Sequence, residues 1–106
     1  MNFDLQTIPF ARELGFTLEL CDEGKSLLRY TPRAVHGNSM GVVHGGALMA
    51  LLDVTMATAA CSVNPGVATV TIEMKTTFMR PAALLEGSEL VGRGRLLHRT
   101  HKMAFV

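Results

Sequence analysis

Three consecutive residues and one distant acid give this 106-residue chain a constellation that could act on a carbonyl. They are His44, Gly45 and Gly46, followed after six intervening residues by Asp53. The first N–H groups of a helix have no intrahelical partner and carry partial positive charge. Two glycines at such a start leave the backbone open to another molecule's oxygen. A carbonyl held against the N–H of Gly45 or Gly46 would be polarised, and an oxyanion there would be stabilised by about 3–4 kcal/mol per donor. Gly-Gly equally permits close helix packing, so the pair alone does not decide between these uses.

Asp53 is the one charge in residues 47–63, a stretch that is apolar or small on every face. A soluble helix ordinarily shows a polar side, so a helix here calls for protein on nearly all sides. Desolvation of the carboxylate would favour its protonated form, which suits a general base or a nucleophile. A buried arginine partner, or a place at a subunit interface, would account for it as well. Eight residues separate Gly45 from Asp53, about 12 Å along a helix, whereas a base or nucleophile must come within about 3–3.5 Å of the carbonyl carbon. One chain cannot supply both groups. Two antiparallel copies of the helix about a two-fold axis can, so the constellation calls for a dimer with two shared sites. Met49, Ala50, Met56 and Ala57 beside Asp53 leave room for that approach.

Asn38, six positions before His44, could orient a water or the base, or serve as a turn residue. Thr71 could hydrogen-bond a water or be an ordinary strand threonine. The four histidines form no HExxH pattern, and neither cysteine sits at ligand spacing from a histidine, so no metal site is expected. Neither a GxSxG nucleophile motif nor a phosphate-binding glycine loop occurs. Arg80, Arg93, Arg95, Arg99 and Lys102 lie late in the chain with His98 and His101. They could be solvated sheet-edge residues or could bind the phosphates of a nucleotide-bearing substrate.

The elements that must position these residues follow from periodicity. Residues 4–14 read as a short amphipathic helix ended by Gly15. Residues 16–21 and 26–30 read as strands about the turn Asp22-Glu23-Gly24-Lys25. Residues 32–43 are a loop, and the long helix runs from 46 to 61 before Asn64-Pro65-Gly66. Residues 67–80 alternate as a very long strand, with Val70, Ile72, Met74 and Phe78 on one face. Residues 90–98 form a fourth strand, whose Gly92 and Gly94 mark where the helix passes close to the sheet. After a turn at Arg99-Thr100-His101, residues 102–106 begin another strand. The expectation is an α+β domain over residues 1–106, one antiparallel sheet around one long helix. The strand begun at 102–106 has no continuation, so C-terminal strands are expected to be missing from a longer domain.

Composition narrows the class. With 48% hydrophobic and 18% charged residues, the chain is apolar for a small globular domain, which favours oligomerisation. A net charge of +1 argues against a dedicated nucleic-acid binder. Residues 47–63 fall short of the ~20 apolar residues a membrane span needs and carry an acid at their centre. Two cysteines in apolar contexts and no signal-peptide pattern fit a reduced, cytoplasmic setting.

Taken together, the stretch from Asn38 to Gly46 followed by Asp53, the segment Phe78-Met79-Arg80-Pro81-Ala82 and the basic turn before Lys102-Met103-Ala104-Phe105-Val106 resemble the hotdog-fold thioesterases, specifically the phenylacetyl-CoA thioesterase-like family. The resemblance implies hydrolysis of an acyl-CoA thioester, with CoA as part of the substrate and no other cofactor, by a homodimer or a dimer of dimers. It implies that Gly45 donates its N–H to the thioester oxygen, with Gly46 beside it, and that His44 shapes the turn. It makes Asp53 of the facing subunit the base or nucleophile, and Asn38 a positioner of thioester or water. Thr71 would hold the water, and Arg80, Arg99 and Lys102 would lie near the CoA phosphates. Thr100 stands where the family often has glycine. A non-catalytic acyl-CoA-binding or regulatory domain is the alternative. A hotdog dehydratase or hydratase would need a His–carboxylate pair on different loops, which does not occur here. The acyl group is expected to be aryl or fatty, against an apolar wall of Met40, Val42, Met49, Met56 and Phe78.

Overall fold

The computed structural model describes residues 3–106. A 3-10 turn, Leu5–Thr7, precedes helix α1 (Pro9–Leu14). The single helix expected over 4–14 is therefore two pieces. Ile8 between them is extended, because a residue before proline is driven from the helical region. Gly15 closes α1 in the left-handed conformation at φ 81°.

Strands β1 (Thr17–Asp22) and β2 (Lys25–Tyr30) form the expected hairpin. Its loop residues Glu23 and Gly24 take φ 51° and 80°, the backbone that matches the twist of paired strands. β3 (Leu90–Arg95) pairs antiparallel with the other edge of β2, giving the order β1-β2-β3.

Helix α2 (Gly45–Cys61) packs on this sheet through Leu51, Val54, Thr55, Thr58 and Ala59, all buried. The two glycines of β3 permit the contact, as their spacing suggests. A Cβ at Gly94 would come within 2.8 Å of the Thr55 carbonyl oxygen, and one at Gly92 would collide with the Thr55 hydroxyl. The Ser26 hydroxyl donates to the Thr55 carbonyl at 2.6 Å, tying β2 to the middle of the helix. At one end of the core the Phe16 ring meets Tyr30 edge-on, with centroids 4.9 Å apart.

Three expectations need correction. The long strand over 67–80 forms no ladder: this segment pairs with no strand among the described residues. Val70 and Ile72 on its apolar face are 87% and 78% exposed. Alternation marks the two faces of a strand, but a strand also needs a neighbouring edge at about 4.8 Å. Second, the strand expected over 90–98 breaks after Arg95. There the pairing changes from β2 to the end of the chain, with Leu97 N–H donating to the Phe105 carbonyl at 2.7 Å. β4 (His98–Arg99) and β5 (Ala104–Phe105) then form a separate two-stranded ladder. Third, α2 is not enclosed on all sides. Met49, Leu52, Asp53, Met56, Ala57 and Ala60 are only partly buried, because the sheet covers one face and the unpaired segment covers the other incompletely.

Candidate functional site

The start of α2 is built from the loop before it. Residues 37–43 close on themselves: Asn38 N–H donates to the Val42 carbonyl at 2.8 Å, and Gly37 bridges Val43. The Asn38 side chain completes this turn, its Oδ1 accepting from Met40 N–H at 2.9 Å and Val42 N–H at 3.2 Å. Two donors on one atom fix the amide's orientation and leave Nδ2 as its outward donor.

His44 caps α2. Its backbone is extended, and its Nδ1 accepts from Gly46 N–H at 2.8 Å, so one of the orphan donors of the helix start is satisfied by a side chain. The proton of the neutral ring is thereby assigned to Nε2. The Gly46 N–H is thus occupied, whereas the Gly45 N–H has no acceptor among the described residues. Phe78 stands over Gly45; a Cβ added there would lie 3.5 Å from the ring, an ordinary contact. Close packing within this chain therefore does not require glycine at 45. Asn38, Gly45 and Arg80 line one pocket of about 260 Å³ with Val43, Leu48 and Phe78.

Asp53 lies two turns further along α2, about 12 Å from Gly45 by the rise of a helix, and is partly exposed rather than desolvated. Its Oδ1 accepts a hydrogen bond from the Thr71 hydroxyl. Its Oδ2 has no partner among the described residues. Thr71, expected to hold a water, thus touches the acid itself. Asp53 and Thr71 line a second, larger cleft of about 790 Å³, together with Arg99, Lys102 and the apolar residues Met56, Ile72 and Phe105.

The expected site residues therefore fall into two groups. Asn38, Gly45 and Arg80 share the small pocket beside His44 and Gly46; Asp53, Thr71, Arg99 and Lys102 share the cleft. Within one chain Arg80 lines the small pocket, whereas Arg99 and Lys102 line the cleft. Met40 stands in neither pocket and is 82% exposed, so it is no part of an apolar wall in this chain. Among the described residues, no group of three or more His, Cys, Asp or Glu side chains could hold a metal ion. No helix among them is long and apolar enough to cross a membrane.

Sequence reasoning passed over His36. Its ring is buried and contacts the Tyr30 hydroxyl, and its carbonyl accepts the His44 N–H. A histidine and a tyrosine flanking Pro32-Arg33 were the available signal, but only the folded end of β2 reveals their contact.

The family model of the thioesterase superfamily matches residues 40–106, a span holding both halves of this constellation. The chain belongs to the thioesterase superfamily. Acyl-coenzyme A thioesterase 13 of Homo sapiens is 31% identical over 97 residues, covering 91% of this chain and 68% of the relative. Among solved structures, a conserved protein of Pseudomonas aeruginosa superposes with a TM-score of 0.81 at 31% identity, over 87% of this chain and 72% of that one. The PaaI protein of the Escherichia coli phenylacetic acid degradation operon gives a TM-score of 0.81 at 28% identity, over 91% and 67%. The architecture of this superfamily member is the hotdog fold, an antiparallel sheet packed on one long helix.

Proposed function

We propose that this protein is an acyl-CoA thioesterase that works as a dimer with shared sites. One observation carries the reading: an unpartnered N–H at Gly45 and an unpartnered carboxylate oxygen on Asp53 sit on the same helix, too far apart to meet at one carbonyl. An antiparallel second copy of α2 brings Gly45 of one chain to Asp53 of the other.

In that arrangement the Gly45 N–H polarises the thioester oxygen and stabilises the oxyanion. The Asn38 amide donates beside it. Asp53 of the facing copy acts through Oδ2, either taking a proton from water or attacking the carbonyl carbon, while Thr71 holds Oδ1. Arg80 from one copy, with Arg99 and Lys102 from the other, supplies cations for the CoA phosphates. Acyl-coenzyme A thioesterase 13 and the phenylacetic acid degradation protein among the relatives support an acyl-CoA substrate. The Leu48 and Phe78 walls of the Gly45 pocket suit an aryl or fatty acyl group.

The test is a hydrolysis screen across aryl- and fatty-acyl-CoA esters with detection of the released thiol, repeated with Asp53→Asn. Turnover by the natural chain, with Asp53→Asn inactive yet still binding the ester, is the expected result. Binding without turnover in both proteins would instead identify a non-catalytic acyl-CoA-binding domain.

A further inference from the structure

His36 stands outside the constellation above, yet it is joined to it through a single hydrogen bond. It ends a 3-10 turn, Ala34–His36, and its side chain is buried at 8% exposure. Its Nδ1 faces two donors, the Tyr30 hydroxyl at 2.6 Å and the Arg33 N–H at 3.1 Å. A nitrogen that accepts from Arg33 N–H is unprotonated, so the ring is neutral and carries its proton on Nε2. Its own carbonyl accepts the His44 N–H at 2.8 Å. Behind the ring, Tyr30 is wedged against Phe16 in the core. A continuous path therefore runs from the packed end of β2, through the imidazole, to the residue that caps α2 and precedes the free Gly45 N–H.

The charged and titratable groups facing this ring are few. The Arg33 guanidinium lies 3.4 Å from Nε2. Glu13 on α1 is 3.9 Å from the same guanidinium and is exposed. The Tyr30 hydroxyl completes the set. Burial first, and the Arg33 cation second, hold the imidazole below its ordinary range, with Glu13 opposing weakly. A proton added at Nδ1 evicts the Arg33 N–H, reverses the Tyr30 bond and sets a second cation beside Arg33.

We propose that His36 is a positioning residue for the oxyanion donor: its neutral ring pins the 30–36 turn to the core and so fixes the His44 backbone and the aim of the Gly45 N–H. Protonation releases that pin. The inference rests on the thioesterase reading for its kinetic consequence, but its structural half is testable without it.

Asparagine at 36 offers an amide oxygen close to the place of Nδ1, accepting from the same two donors without titrating. Leucine offers no acceptor. Two readouts are compared across His36→Asn, His36→Leu and the unaltered protein. The first is the pH dependence of the His44 and Gly45 amide resonances by NMR. The second is kcat and KM for the acyl-CoA ester preferred in the screen. The expected result is a pH-dependent shift of the His44 and Gly45 amides that is larger in the unaltered protein than in His36→Asn, the difference being the part owed to His36. His36→Leu lowers kcat about tenfold with little change in KM, as a misaimed donor should, and His36→Asn restores most of that loss. Amide titrations identical in His36→Asn and the unaltered protein overturn the proposal, as does a His36→Leu defect confined to KM. If no ester is hydrolysed at all, the thioesterase reading fails while the amide titration still decides the role of His36.

Discussion

The Thr71 hydroxyl donates a hydrogen bond to the Asp53 carboxylate, joining the unpaired segment after α2 to the middle of the helix. This contact occupies one oxygen of the acid; the other is the one the proposed mechanism uses. Thr71→Val removes it. A hydrogen bond to a charged group is worth about 1.5–3 kcal/mol, and partial exposure reduces that, so kcat should fall about tenfold or less. Thr71→Ser should retain most of the rate. Steady-state kinetics with thiol detection checks both; equal kcat for valine and threonine would remove Thr71 from the mechanism.

Gly45 can be stripped of its donor with little damage to the helix. His44 already has φ −61° and ψ 137°, a conformation compatible with a following proline, and the first position of a helix tolerates proline. Gly45→Pro should fold and lose about 10²–10³ in kcat. Gly45→Ala keeps the N–H and meets Phe78 only at 3.5 Å, so it should fold, and its loss of rate, from a Cβ beside the approaching oxygen, should be smaller than that of Gly45→Pro.

The proposed sharing of sites between two chains can be tested by mixing. On that proposal, Gly45→Pro and Asp53→Asn chains should each be inactive alone and should form mixed dimers with one intact site. After unfolding and refolding together at equal amounts, activity should recover to about one quarter of the natural level. No recovery, with mixed dimers shown to form, would place both groups of each site on one chain.

The glycines of β3 should be intolerant of a side chain. At Gly94 the added methyl meets a helix carbonyl oxygen at 2.8 Å, which can move only if the helix moves. At Gly92 it meets the Thr55 hydroxyl, a side-chain atom. Overpacking costs typically about 1–3 kcal/mol; Gly94→Ala should fall at the top of that range and Gly92→Ala below it, read from denaturant midpoints.

His36 also links stability to pH. Its folded-state pKa is lowered from 6.5 by burial and by Arg33, so in acid the unfolded chain binds a proton that the folded chain resists. The stabilisation is complete above pH 6.5 and declines as pH falls from there through the lowered folded-state value. Chemical denaturation across this range should show that slope, and His36→Asn should flatten it relative to the natural chain.

What could be read from the sequence was whatever depends on near neighbours. The Glu23-Gly24 turn, the helix ending at Cys61 and the glycine pair of β3 are local signals, and the structure shows each in place. The 67–80 segment misled because its alternation describes side chains, while a ladder depends on a partner that the sequence pattern does not specify. The setting of Asp53 was half legible: the apolar surroundings of its helix were plain, but which face the sheet would cover was not. Within the site, Asn38 and His44 were legible as loop residues flanking a helix start, whereas His36 became visible only when the end of β2 brought Tyr30 onto its ring.

Residues 67–80 pair with no strand among the described residues and leave Val70 and Ile72 exposed. A partner that covered them would bind the folded chain and not the unfolded one, and would shift the unfolding balance by mass action. With a second copy as that cover, folding and assembly become a single equilibrium. A melting temperature for this protein then has meaning only beside the dilution at which it was taken.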